Sequence, residues 1–324
     1  MLKKRSEYKI IFYGTPDFAV ESLKALHAAG FNLQAVVTVA DKPAGRGRKL
    51  QKSAVKKYAE ANNIPVFQPK NLKSPDFHAK LKALQPDLQV VVAFRMLPDT
   101  VIEAAKDGTI NLHASLLPQF RGAAPINHAL MQGEKKTGVT TFFIDSKIDT
   151  GAIIGQKTTG IQPNDTAGSL HDKLMVTGAQ LLIETVDNIM SGQAESIPQE
   201  MLIRGNELKK APKIYKENCY VNFDQDYRRV YDFIRGLTPY PAARIRIRHK
   251  SSGDILECLL LNVQAQKESH EHDAGSFVSD NKRFFKIAAQ NGFIEVLDIK
   301  AEGKKAMDIR SFLNGFDLSA YVLE

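Results

Sequence analysis

Apolar residues in the first ninety positions fall into short runs separated by stretches with helical spacing. Lys9-Ile10-Ile11-Phe12-Tyr13-Gly14 reads as a strand, Asp17 to Ala29 as a helix ended by Gly30, and Leu33 to Val39 as a second strand. A helix from Ser53 to Asn62, a short strand at Ile64 to Phe67 and a helix after Ser74, with Pro75 in its first turn, continue the alternation. Leu88 to Phe94 is then an almost unbroken apolar run, the pattern of a strand buried on both faces. Such an order of strand, helix and strand predicts a doubly wound, mostly parallel α/β sheet. Thr109 to His113 and Val139 to Ile144 read as two further strands with a helix at 125–132 between them. A helix from Asp165 to Met190, with Leu170, Leu174, Leu181, Leu182, Val186 and Ile189 at helical spacing, closes this part of the chain.

After 190 the pattern changes. Ser191-Gly192-Gln193, Ile197-Pro198, Gly205-Asn206 and Lys209-Lys210 suit an exposed linker. Beyond it, one helix at Asp226 to Gly236 is followed by runs at Arg244 to Arg248, Ile255 to Val263, Gly275 to Val278, Phe284 to Ala288 and Phe293 to Ile299, then a short helix at 307–313. Closely spaced strands of this kind predict a small β-barrel. The expected organisation is a domain over 1–190, a linker over 191–209 and a barrel domain over 210–324. Arg244-Ile245-Arg246-Ile247-Arg248 alternates strictly, which places its arginines on one face and its isoleucines on the other.

Composition narrows the class. The 324 residues are 43% hydrophobic and 25% charged, as in a soluble globular protein, and no stretch reaches the ~18 apolar residues that would cross a bilayer. Only Cys219 and Cys258 are present, far apart and without metal-ligand spacing, so reduced thiols in a cytoplasmic protein are expected and no metal site. The basic N-terminus runs into the first strand without a separate apolar signal region. The net charge of +8 invites a polyanionic partner. Lys42, Arg46, Arg48, Lys49, Lys52, Lys56 and Lys57 lie in one stretch with no acidic residue among them. A solvated charged face accounts for such a run, and so does a loop gripping phosphates; Gly45 and Gly47 favour the loop. By contrast, residues 206–324 hold 19 basic and 17 acidic residues, so nucleic-acid contact there would rely on local stripes such as Arg244, Arg246 and Arg248.

Candidate chemistry centres on Ile110 to Leu130. Asn111 and His113, two apart on a strand, share a face, while Ile110 and Leu112 face a core. A carboxamide N–H and an imidazolium can both donate to an oxygen that gains negative charge, which suits attack at a carbonyl. The same pair also fits a satisfied structural hydrogen-bond network. Asp149 stands in a turn after the strand at 139–144. If that strand neighbours 109–113 in parallel, their carboxyl ends share an edge and Asp149 reaches His113. The first turn, Gly14-Thr15-Pro16-Asp17-Phe18, lacks the Gly-x-Gly-x-x-Gly pattern, so no nicotinamide cofactor is expected.

Asn111-Leu112-His113-Ala114-Ser115-Leu116-Leu117-Pro118, Arg121-Gly122-Ala123-Ala124-Pro125 and Asp149-Thr150-Gly151 closely resemble the formyltransferases that use 10-formyltetrahydrofolate. Gly14 to Phe18 and Asp41 to Leu50 extend the resemblance over nearly the whole chain. It implies a barrel of the oligonucleotide-binding type and a catalytic trio of Asn111, His113 and Asp149. It also implies a folate border at Ser115, Leu116, Leu117 and Pro118, 10-formyltetrahydrofolate as co-substrate, and methionyl-initiator tRNA as acceptor, met by Lys42, Arg46, Arg48, Lys49, Arg244, Arg246 and Arg248. A monomer suffices. Two departures stand out: Phe94-Arg95-Met96-Leu97-Pro98, where the family usually has a Tyr-Gly pair and one residue more, and Ala152, where it commonly has an acidic residue or proline. Three other readings compete: formyl transfer to a small amine, hydrolysis of a formylfolate, and RNA binding without catalysis.

Overall fold

The computed structural model describes residues 3–44, 49–203, 205 and 207–324. Its fold separates into two compact units, one of Met1–Gly122, Lys136–Gly160 and His171–Lys210, the other of Ala123–Lys135, Ile161–Leu170 and Ala211–Glu324.

In the first unit the strands are β1 (Lys9–Gly14), β2 (Asn32–Val37), β3 (Lys42–Ala44), β4 (Lys49–Gln51), β5 (Val66–Phe67), β6 (Leu88–Val92), β7 (Thr109–His113), β8 (Arg121–Gly122), β9 (Lys136–Phe143) and β10 (Ile153–Gly160). Seven of them form one sheet in the order β10-β9-β7-β6-β1-β2-β5. β1 pairs in parallel with β2 and β6, β2 with β5 and β6 with β7. The chain thus winds to one side of β1 and then returns to build on the other. The carboxyl ends at this reversal are where open α/β sheets hold ligands. All five residues of β6 are buried, as the apolar run requires.

β9 departs from the expected arrangement. It lies beside β7, but antiparallel, with Ile110 opposite Phe143 and His113 opposite Thr140, and β10 is antiparallel to β9 in turn. Behind β7, the helix Ala167–Met190 approaches closely at Gly178, where an added Cβ would sit 2.9 Å from Leu112 Cδ2. A larger residue there would press on the Leu112 side chain, in the strand that carries Asn111 and His113.

The second unit contains an antiparallel sheet of β12 (Ala243–His249), β13 (Ile255–Lys267), β14 (Phe277–Ser279), β15 (Phe285–Ala289), β16 (Gly292–Ala301), β17 (Met307–Asp308) and β18 (Tyr321–Leu323), after a two-residue β11 (Lys210–Ala211). Its order is β14-β15-β16-β13-β12-β18, with β17 on β16. Gly275, just before β14, packs against Leu323 of β18, which brings the two ends of the path close to closure as a barrel. The helix Tyr227–Leu237, capped by the Asp226 carboxylate on the Arg228 N–H, lays Val230, Ile234 and Leu237 into the same core as Ile245, Ile247, Leu260, Phe285 and Ile294.

Candidate active site

β7 ends in His113, which is 7% exposed; Asn111, two residues earlier, is half-buried. No hydrogen bond reaches the Asn111 carboxamide among the described residues. His113 Nε2 lies 3.0 Å from the Phe120 carbonyl oxygen. A carbonyl only accepts, so Nε2 carries a proton and donates it there, leaving Nδ1 as the nitrogen that faces outward. Facing it at 3.8 Å is Oδ2 of Asp149, which also accepts from the Gly122 N–H at 2.9 Å. The gap is too long for a hydrogen bond, and leaves room for a third group between the two side chains.

Asp149 arrives by a different route from the one the strand pattern suggests. Because β9 is antiparallel to β7, its last residue, Phe143, lies at the far end from His113, and the loop 144–152 must double back. Three residues make that turn. Thr150 Oγ1 donates to both oxygens of Asp145, at 2.8 and 2.9 Å. Gly151 packs so tightly on β9 that a Cβ would overlap the Phe143 carbonyl oxygen. Asp149 itself has φ of 54°, a left-handed conformation unusual for a residue other than glycine. Phe120, whose carbonyl holds His113, has φ of 60°. Strained backbone on both partners of one imidazole persists only where surrounding bonds impose it.

For Asp149 they include those of Gln199, which is wholly buried in a segment whose composition suggests an exposed linker. Its Nε2 donates to the carbonyls of Asp149 and Gly151, both at 2.9 Å. Its Oε1 accepts from Arg121 Nε and Nη2 at 3.0 and 2.7 Å. Nothing in the spacing or polarity of 191–209 singles out this glutamine, and Arg121 attracts notice only as part of a motif.

The turn after β7 is equally well satisfied. Ser115 Oγ donates to the Gln119 carbonyl at 2.7 Å, Thr140 Oγ1 donates to Ser115 O at 2.6 Å, and Gln156 Nε2 donates to Leu117 O at 2.8 Å. Ser115, Leu117 and Pro118 are buried and only Leu116 is partly exposed. Beside this edge, Arg95 donates to the Pro69 and Lys70 carbonyls at 2.6 and 3.2 Å, pinning the atypical 94–98 segment.

The basic stretch is less free than its composition implies. Lys56 Nζ is 2.6 Å from Asp41 Oδ2 and Lys52 Nζ is 2.7 Å from Glu60 Oε2. Lys42 is exposed, in β3, which pairs with β4. Arg46 and Arg48 lie outside the described residues, as does the Lys49 side chain. In the second unit the alternation of β12 holds, with Ile245 and Ile247 buried. Arg244 is bound to Glu257, whose oxygens also take Tyr220 Oη at 2.5 Å and Lys216 Nζ at 3.0 Å. Burial pushes the Glu257 carboxyl up, but the hydrogen bonds from Tyr220 and Lys216 and the Arg244 charge outweigh it and hold it below its ordinary value. Arg248 pairs with Glu324 at 3.1 Å, while Arg246 is exposed and lies 4.4 Å over the Tyr220 ring.

Among the described residues no three His, Cys, Asp or Glu side chains form a group able to hold a metal ion, and no helix is long and apolar enough to cross a membrane.

Comparison with known proteins matches residues 8–186 to the family described as Formyl transferase and residues 213–317 to that described as Formyl transferase, C-terminal domain. The methionyl-tRNA formyltransferase of Parabacteroides distasonis is 48% identical over 317 residues, covering 97% of both chains. That of Bacteroides fragilis is 46% identical over 316 residues, 98% of this chain and 97% of the relative. Among solved structures, an N-formyltransferase from Helicobacter canadensis, in complex with folinic acid and dTDP-3-aminofucose, superposes with a TM-score of 0.65 at 21% identity. It covers 89% of this chain and 98% of its own.

Proposed function

The chain belongs to the formyl transferase family, and on that premise we propose that it transfers the formyl group of 10-formyltetrahydrofolate to the α-amine of methionyl-initiator tRNA. The product is N-formylmethionyl-tRNA for the start of translation. The observation that carries the reading is the trio at the end of β7: a carboxamide with no hydrogen-bond partner among the described residues, an imidazole with one nitrogen committed, and a carboxylate facing the other nitrogen at 3.8 Å.

The chemistry follows from those three groups. A free α-amine titrates near about 7.7–8.0, so a neutral fraction is present at neutral pH. Its N–H bonds satisfy His113 Nδ1 and Asp149 Oδ2 together, which aims the nitrogen lone pair at the formyl carbon. As the C–N bond forms, the formyl oxygen becomes an oxyanion and accepts from the Asn111 carboxamide. The amine proton passes to His113 Nδ1. The imidazolium so formed keeps its Nε2–H on Phe120 O and is stabilised by the Asp149 charge. Its new N–H stabilises the oxyanion and then supplies the proton that lets the folate nitrogen leave, so one proton moves from amine to leaving group and the site returns to its starting state.

The acceptor's phosphates fall to the loop bearing Lys42, Arg46, Arg48 and Lys49 and to the exposed Arg246, with Arg244 and Arg248 already paired with acids. A monomer acting in the cytoplasm, without metal or nicotinamide, completes the proposal. The test is to mix purified protein with 10-formyltetrahydrofolate and methionyl-initiator or methionyl-elongator tRNA, and to measure N-formylmethionine after releasing the amino acid. Formylation strongly favouring the initiator is expected; formyl transfer only to a small amine or to water would keep the trio and reject the acceptor.

A further inference from the structure

We infer that Gln199 is a positioning residue for the reaction, holding Asp149 at its distance from His113 by fixing the backbone on which Asp149 stands. The inference rests on Asp149 acting in the transfer.

Gln199 is 0% exposed, and all its hydrogen-bonding atoms are used: Oε1 accepts twice from Arg121, and Nε2 donates to Asp149 O and Gly151 O. Its orientation is unambiguous, because a guanidinium only donates and carbonyls only accept. The amide therefore ties both ends of the Asp149-Thr150-Gly151 turn to Arg121 in β8. The next residue of β8, Gly122, gives its N–H to Asp149 Oδ2. Backbone and carboxylate of Asp149 are thus held from one two-residue strand, the first through Gln199 and the second directly. This restraint is what a left-handed aspartate needs, since without it the turn would relax toward ordinary φ values and carry the carboxylate with it. A misplacement of about 1 Å in a reacting constellation can cost on the order of 10²-fold in rate.

Gln199→Glu tests this. The carboxylate still accepts from Arg121 but presents oxygen, in place of N–H, to the two carbonyls. The expected result is kcat lower by ~10–10²-fold with the KM values for donor and tRNA within about twofold of the parent. In an Asp149→Asn background the same change should cost less than about twofold, because the group it positions has already lost its charge. Should Gln199→Glu fail to fold, as judged by its melting transition, Arg121→Met removes the donors that orient the amide and is expected to lower kcat in the same selective way. A kcat unchanged by these variants, or a loss equal in both backgrounds, would overturn the positioning role while leaving Asp149's role intact. Full turnover by Asp149→Asn alone would overturn the assignment of Asp149 and the inference with it.

Discussion

The end of β7 and the strand β12 are both polar stripes on alternating strands, and they spend their polar groups in opposite ways. On β12 the charges are largely used inside the protein: Arg244 on Glu257 and Arg248 on Glu324, with Arg246 resting on Tyr220. On β7 the surrounding structure is saturated, from Ser115 and Thr140 to Gln156 and Gln199, yet Asn111 and one nitrogen of His113 have no hydrogen bond among the described residues. Residue type and periodicity look alike in the two places. A stripe whose partners lie within the fold supports the fold, whereas unsatisfied groups held by satisfied neighbours are ready for a substrate.

Removing the groups of the trio should have the largest effect. Asn111→Ala and Asp149→Asn are each expected to lower turnover by ~10²–10⁴-fold with little loss of melting temperature, as measured by steady-state formylation beside thermal unfolding. Next comes the basic stretch proposed to meet the phosphates of the tRNA. Neutralising Lys42, Arg46, Arg48 and Lys49 together should raise KM for tRNA with kcat nearly unchanged. It should also flatten the salt dependence of binding, by roughly one unit of slope for each phosphate that the variant no longer neutralises. The smallest effects fall within β12 and sharpen the contrast there. Arg246→Ala should weaken tRNA binding modestly without changing stability. Arg244→Ala should instead destabilise the second unit by about 1–3 kcal/mol, since it leaves the Glu257 carboxylate short of a charged partner. Denaturant titration and tRNA binding on the same two variants separate the outcomes; equal behaviour would erase the distinction between an arginine paired with a carboxylate and one held only by the Tyr220 ring and hydroxyl.

Much of the fold was legible because its signals are local. The apolar runs at β1 and β6 and the strict alternation of β12 each follow from side-chain burial within a few residues. The direction of β9 was not legible, because periodicity states that a strand exists and says nothing of which way its neighbour runs. Asn111, His113 and Asp149 stood out as residue types suited to carbonyl chemistry, and their motifs strengthened the signal. Gln199 carried none: an isolated glutamine in a polar stretch looks solvated, and only the fold shows that it meets a turn fifty positions earlier in the chain. The same limit applies to Arg244, whose neutralising partner Glu257 lies on the next strand and appears only once the register is known.

The most direct measurement is single-turnover formyl transfer by His113→Ala, with the enzyme in excess over methionyl-initiator tRNA and saturated with 10-formyltetrahydrofolate, so that product release cannot mask the chemical step. A transfer rate lower by ~10²-fold or more, with donor and tRNA affinities within about twofold of the parent, is predicted. A rate equal to the parent's would contradict the assignment of proton transfer to the free nitrogen of His113.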